Sequence, residues 1–257
     1  MTVAEFALLL VAGVAAGLVG SIAGLASLIS YPALLAVGVP PVTANMTNTV
    51  SLLLQGVGSV SASRPELRGQ RPRLGRHVPA GMLGGAAGGA LLLLTPSDAF
   101  ERIVPALIAL ASAAMLFAPP PAELAAEGAE EQLRHPHRDP RWLPVGSFAV
   151  AIYGGYFGAA AGVLLLAMYL LTTGEGLPRG NALRNVVLGG ANAVAAIGFV
   201  VLGSVAWTAA LPLAMGLFGG SLLGPGIVRR APQTLLRRVV ALAGLALAVH
   251  LGVQAWT

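Results

Sequence analysis

The sequence predicts an all-α polytopic membrane protein. It is built from two inverted repeats, each a Gly-rich broken or re-entrant helix unit plus three spans, about eight to ten helical segments in all. Three observations carry this expectation. The 257 residues are 56% hydrophobic and 10% charged, with a mean hydropathy of +0.80, whereas a soluble domain carries about 25% charged residues. Runs such as Gly81 to Leu94 and Gly189 to Leu202 contain no charge and are continuous rather than alternating, which fits spanning helices and not a β-barrel. The second half also repeats the order of the first.

The elements follow in chain order. The apolar stretch from Val3 to Val39 is too long for one simple span at about 1.5 Å per residue. It is interrupted at Gly17, Gly20, Ser21, Gly24, Ser27, Ser30 and Pro32, so a long helix followed by a short one is expected. The opening segment lacks a positive start and carries Glu5, which reads as a mature first helix rather than a signal peptide. Pro40-Pro41 starts the next helix, Val42 to Ser63, because proline suits a first turn. A basic loop, Arg64 to Arg76, holds five arginines against Glu66. Spans from His77 to Leu94 and from Phe100 to Ala118 follow.

The hydrophilic segment PPPAELAAEGAEEQLRHPHRDPR, rich in Pro, Glu and Arg, reads as a linker. The expected organisation is a first repeat over 1–118, a cytoplasmic linker over 119–141 and a second repeat over 142–257. His135 and His137 in the linker lack the further ligands that a metal site needs. In the second half, Gly17, Gly20 and Gly24 recur as Gly155, Gly158 and Gly162 with unchanged spacing. The same offset pairs Tyr31 with Tyr169, Pro40 with Pro178 and Thr47 with Asn185. VPAGMLGGAAGG from Val78 resembles LPLAMGLFGG from Leu211, which completes a tandem duplication.

All 15 basic residues are arginine and none is lysine. Arginine-rich loops face the cytoplasm, which places Arg64–Arg76 and the loop with Arg229, Arg230, Arg237 and Arg238 inside. Both conditions hold only if each broken segment returns to its starting side, so the halves have opposite orientation and both termini lie outside. Trp142, Trp207 and Trp256 sit at expected span ends, where interfacial anchors belong.

The stretch PRGNALRNVVLGGAN, Pro178 to Asn192, is the most polar part of an otherwise apolar span. Asn181, Asn185 and Asn192 recur at helical spacing on one face, with Arg184 on its edge. The counterpart in the first half carries Asn45, Thr47, Asn48, Ser51 and Gln55. Such a face inside a membrane segment is costly unless it lines a site or a cavity.

GLVGSIAGLASLISYPALLAVGVPPVTANMTNTVSLL and its repeat YGGYFGAAAGVLLLAMYLLTTGEGLPRGNALRNVVLGG resemble the sulfite exporter TauE/SafE family, also called the TSUP family. Each half has that family's order: a Gly-rich broken start, a Pro-led polar helix and two plainer spans. The resemblance covers nearly the whole chain outside the linker. It implies a multi-pass protein of the bacterial inner membrane that exports or facilitates a small sulfur-containing anion such as sulfite, thiosulfate or an organosulfonate. A carrier of another anion, a carboxylate or an inorganic oxyanion, and a non-transporting scaffold subunit remain as alternatives.

For an anion, the expected binding residues are Arg184, Asn181, Asn185, Asn192, Asn45, Thr47, Asn48, Ser51, Gln55, Gly20, Gly24, Gly158 and Gly162. Arginine offers charge and a planar fork of donors. The amides and hydroxyls offer neutral hydrogen bonds, and the glycines allow close backbone approach at helix N-termini. Each has a plainer role open to it: glycines as close-packing positions, Arg184 snorkelling to the interface, and the amides as bonds between helices. No Asp or Glu falls mid-span, so a carboxylate proton relay is not visible; Glu175, His77 or His250 are the groups left for coupling. No intramembrane catalytic set, metal site or cofactor is expected. The expected partners are a small anionic substrate and the lipid bilayer, with no nucleic acid and with a homodimer as an option.

Overall fold

The computed structural model describes residues 1–117, 119–134, 139–228 and 233–256, and its regular elements among these are eleven helices. The first broken unit is α1 (Val3–Ala23) and α2 (Ser27–Ala36). A capping box starts α1: the Thr2 hydroxyl accepts from the Glu5 backbone N–H, and the Glu5 carboxylate accepts from that of Thr2 at 2.7 Å. The helix stops at Gly24, whose φ of 76° is left-handed, a conformation that glycine adopts without a side-chain penalty. Next come α3 (Pro41–Ala62), α4 (Arg71–Leu94), α5 (Ser97–Phe117) and α6 (Pro121–Arg134). The second half holds α7 (Leu143–Tyr156), α8 (Ala161–Thr173), α9 (Leu177–Leu202), α10 (Trp207–Val228) and α11 (Gln233–Trp256).

Two expectations about the connections need correction. The basic segment is a loop only as far as Gln70; Pro72 sits in the first turn of α4, so Arg71, Arg73 and Arg76 are helical. The segment over 119–141 is more than a linker. Proline at its start, Glu123 in the first turn and the helix formers that follow make α6, which explains a helix count above the expected range. Leu124 on α6 is buried against Leu166 and Leu170 of α8. His135 and His137 lie outside the described residues, as do Arg229 and Arg230.

Helices α1, α4, α5 and α9 are long and apolar enough to cross a membrane. α3 is 22 residues long but less apolar, because Asn45, Thr47, Asn48, Thr49 and Ser51 are buried inside the bundle. The outward positions are apolar instead: Leu83, Leu110, Ile197 and Val201 are all exposed. A surface of this kind suits a lipid environment. Trp142 and Trp207 are half exposed at helix starts, as interfacial anchors are.

Packing exchanges the two halves. α1 packs on α10 and α7 on α4; α3 packs on α10 and α9 on α4; α3 meets α9, and α5 meets α11. The register repeats residue by residue. Gly84 abuts the Phe148 carbonyl and Ile152 amide, while Gly216 abuts the Leu10 carbonyl and Val14 amide. Gly88 abuts the Ile152 carbonyl and Tyr156 amide, while Gly220 abuts the Val14 carbonyl and Leu18 amide. Phe148 and Ile152 are the repeat equivalents of Leu10 and Val14, so the duplication read in the sequence is also a duplication of contacts. These contacts advance in the same direction along both partners, so α1, α3 and α10 run parallel, as do α4, α7 and α9.

A polar cluster gathers the loop before α4 and its first turn, the start of the 139–142 segment, and the start of α9 with the residues before it. Arg73 donates to both Asp139 carboxylate oxygens, at 2.6 and 2.7 Å, and pairs with Glu175. Glu175 also pairs with Arg179, whose guanidinium reaches the Arg68 carbonyl at 3.2 Å.

Gly220 and its neighbour give an internal control on this packing. A Cβ at Gly220 would overlap the Val14 carbonyl, whereas Gly219 faces open space. Gly220→Ala should lower stability by about 1–3 kcal/mol through overpacking. Gly219→Ala should leave stability unchanged or raise it by up to about 1 kcal/mol through helix propensity. Thermal midpoints in detergent measure both.

Candidate functional site

The two helix breaks face each other. The α1–α2 break around Gly24 and the α7–α8 break around Gly158 enclose, with α3 and α9, a cavity of about 60 Å³. A single water needs roughly 10–15 Å³ by this measure, so a small ion fits. Gly24 and Gly162, equivalent positions of the two repeats, touch across it: a Cβ on either would overlap the other's backbone. Only glycine lets the chains come this close, and at Gly24 the left-handed backbone adds a second requirement for it. The N-terminal residues Ser27 of α2 and Ala161 of α8 line the cavity, so both positive dipole ends point toward it.

Arg184 projects from the second turn of α9 into this space. It is 1% exposed, so its guanidinium lies inside the bundle and does not extend to the surface. Nη2 donates to the Gly20 carbonyl at 3.1 Å, the Ser21 carbonyl at 3.3 Å and Asn185 Oδ1 at 2.7 Å. Nε and Nη1 have no protein partner, and among the described residues no carboxylate pairs with Arg184. Arginine is donor-only, which fixes the Asn185 amide: its oxygen faces Arg184, and its Nδ2 is left without a partner. Ser59 Oγ and Gln55 Oε1, also at the cavity, are likewise unpartnered. A buried charge with unmade hydrogen bonds is costly. This wall therefore offers a fixed positive charge and several free donors, which an anion would satisfy.

The expected binding residues divide into two groups. Arg184, Asn185, Asn192, Gln55, Gly20, Gly24, Gly158 and Gly162 line the cavity. The other five are turned to neighbouring helices. Asn181 Nδ2 donates to the Ser21 carbonyl at 2.9 Å, and Asn45 Nδ2 to the Tyr156 carbonyl at 2.7 Å. Thr47 Oγ1 accepts from the Ala206 amide at 3.0 Å, and Ser51 Oγ lies 3.2 Å from the Ala210 carbonyl. Asn48 Nδ2 donates to Ser27 Oγ at 3.1 Å, and its Oδ1 accepts from Ser30 Oγ at 2.5 Å. These bonds tie the broken units to α3 and α9, and α3 to α10 and the link before it. The cavity also recruits residues that the sequence reading did not single out for binding, chiefly Ser59, Thr49, Gly56 and Gly189. Gly56 and Gly189 mark the crossing of α3 and α9. Ser59 lies one helical turn beyond Gln55 on α3, a spacing that could have flagged it.

The sequence profile described as Sulfite exporter TauE/SafE matches residues 9–251. The chain is 26% identical over 239 residues to the probable membrane transporter protein YfcA of Escherichia coli (strain K12), covering 92% of this chain and 85% of that one. It is 29% identical over 250 residues to the probable membrane transporter protein ORF9 of Sinorhizobium sp, covering 95% and 91%. A probable membrane transporter protein of Haemophilus influenzae is 28% identical over 239 residues, covering 92% and 90%. No solved structure matches.

The division between cavity-facing and helix-bonding amides is testable. Asn185→Ala should weaken the binding of an anion in this cavity about ten- to a hundredfold, since a hydrogen bond to a charged group contributes about 1.5–3 kcal/mol. Asn48→Ala should instead lower stability by about 1–3 kcal/mol, because Ser27 and Ser30 lose a buried partner, while folded protein keeps its affinity. Calorimetric titration and thermal midpoints on the same preparations separate the two effects.

Proposed function

The chain belongs to the sulfite exporter TauE/SafE family, and from that premise we propose that it carries a small sulfur-containing oxyanion, with the Arg184 cavity as its binding site. The observation that supports this most is the buried guanidinium whose Nε and Nη1 have no protein partner. In a membrane interior such a group is expected to meet a mobile counter-ion or a fixed carboxylate, and no described carboxylate is there. The free Nε–H and Nη1–H lie on different edges of the guanidinium, so each can donate a single charge-assisted bond to an oxygen of a sulfite, thiosulfate or sulfonate group. Asn185 Nδ2 and Ser59 Oγ then supply neutral bonds, which replace water without adding charge that would trap the ion. The same donors would serve a carboxylate, and an anion panel distinguishes that case.

We infer that the two repeats are inverted. The links 63–70 and 203–206 are short: about 29 Å and 14 Å when fully extended, against about 33 Å for the 22-residue α3. Each therefore reverses the chain, so α4 runs against α3 and α10 against α9. Since α1 is parallel to α3 and α7 to α9, α1 and its equivalent α7 point in opposite directions. This is the transporter plan in which discontinuous helices meet at the membrane middle. The polar cluster of Arg68, Arg73, Asp139, Glu175 and Arg179 then marks the cytoplasmic face, and Ser204 the opposite one.

Flux in proteoliposomes tests the site. Arg184→Gln should abolish or severely reduce thiosulfate flux per folded molecule, and Arg184→Lys should restore only part, because an ammonium keeps the charge but not the planar fork. Wild-type flux in Arg184→Gln would remove the site assignment. Sidedness is checked separately, since the chain has no cysteine. In Arg68→Cys and Ser204→Cys, a membrane-impermeant maleimide should label the two positions from opposite sides, Arg68→Cys from the cytoplasm.

A further inference from the structure

A second polar site lies apart from the Arg184 cavity and shares no lining residue with it. His77 on α4 is buried and borders a cavity of about 260 Å³ with Arg76, Asp139, Pro140, Arg141 and Pro144. Its Nδ1 lies 2.8 Å from Ser147 Oγ on α7, which lies 2.9 Å from the Tyr169 hydroxyl on α8. The imidazole also meets the Tyr169 ring edge-on at 5.2 Å. Ser147 Oγ also lies 3.0 Å from the Leu143 carbonyl. With its one hydroxyl hydrogen on that carbonyl, its oxygen accepts from Tyr169 and from His77 Nδ1–H. This arrangement is the neutral tautomer with Nε2 as the position for a second proton.

The other repeat shows that this chain of groups is not needed for the fold. The register that equates Gly84 with Gly216 places Ala209 at the position of His77, Leu9 at that of Ser147 and Tyr31 at that of Tyr169. All three are buried, and the Tyr31 hydroxyl has no partner. One end of the bundle thus carries a titratable triad where its mirror is apolar. Tyr169 also belongs to the apolar cluster of Leu143, Leu165, Leu183 and Val187, against which Leu188 packs. Leu188 in turn lines the Arg184 cavity, so the cluster separates the two cavities and the His77 triad is built into that barrier.

We propose that His77 is a proton-binding site that couples anion movement to protons entering from the arginine-rich face; this rests on the anion-carrier reading above. The charged and titratable groups around it are Arg73 and Arg76 on its own helix, Asp139 and Arg141 before α7, and Tyr169 on α8. Asp139, the carboxylate among them, is already held by Arg73. A proton on Nε2 leaves this mouth with unbalanced positive charge, which an arriving anion neutralises. Proton and anion therefore favour each other's binding, and one proton travels with each anion carried. The added charge also sits against the Tyr169 end of the apolar barrier, where it favours water entry and opening.

The test uses full-length protein in proteoliposomes with thiosulfate, which stays a dianion through the acidic range in which a buried imidazole takes up its proton. An internal pH dye reads proton movement alongside anion flux. Wild type should move protons in the same direction as thiosulfate, with flux rising as pH falls. His77→Gln should move thiosulfate without the accompanying protons and with a flat pH profile. Ser147→Ala keeps the imidazole but removes the acceptor for Nδ1–H, so the midpoint of the profile should shift to lower pH. If His77→Gln carries no anion at all, the Ser147→Ala midpoint decides. Thiosulfate flux without proton movement in wild type, proton movement retained in His77→Gln, or an unshifted midpoint in Ser147→Ala would each overturn the proposal while leaving the anion reading intact. Absence of any thiosulfate flux in wild type would overturn both.

Discussion

A buried guanidinium that pairs with no carboxylate among the described residues is the constraint around which this bundle is arranged. Arg184 is held from one side by the Gly20 and Ser21 carbonyls and by Asn185, while Nε and Nη1 are left unpaired. Desolvating a charge in this way is unfavourable, so the surrounding structure has to hold it in place. Two helix breaks do so, because each turns the start of its next helix toward the same space. In the proposed anion-carrier reading, a fixed carboxylate would relieve the charge permanently and close the site, whereas an unpaired guanidinium leaves it open to an ion that comes and goes.

Small residues make that arrangement possible. Between membrane helices, where apolar side chains gain little over lipid, close backbone approach and interhelical bonds carry the association. Gly84, Gly88, Gly216 and Gly220 bring α4 against α7 and α10 against α1 in matching registers. Asn45, Thr47 and Ser51 then bond across to backbone groups of α7 and α10 or the link before it. The polar face of α3 is thus spent on cohesion at its first turns and on the cavity farther along, at Gln55 and Ser59. Helix α8 is backed by α6, while α2 leans on α11, so the equivalent short helices are supported by non-equivalent neighbours.

The fold was legible in the sequence wherever a rule acts over short range. Glycine spacing in Gly17–Gly24 and Gly155–Gly162 announced both breaks, and Pro41 and Pro178 announced the starts of α3 and α9. α6 was missed because its Glu and Ala pattern is hydrophilic on average, while only Leu124 and its neighbours reveal that one stripe is buried. Arg184, Asn185, Gln55 and the break glycines were legible because polar groups in apolar runs are rare. Sequence spacing could not separate Asn48 from Asn185, since both sit on polar faces. Which face turns to a cavity and which to a serine pair is decided by how helices far apart in sequence cross. The asymmetry between His77 and Ala209 was also hidden, because it emerges only when the packing register of the repeats is known.

The central claim, that Arg184 holds the transported anion through its unpaired N–H groups, is tested most directly by locating a bound oxyanion. Selenite, the heavier analogue of sulfite, can be found by its anomalous scattering in crystals of the full chain. The account predicts a selenium peak inside the cavity between the two helix breaks, with an oxygen within hydrogen-bonding distance of Arg184 Nε or Nη1. A cavity without a peak while selenite binds elsewhere in the bundle, or Nε and Nη1 engaged by a protein carboxylate, would contradict it.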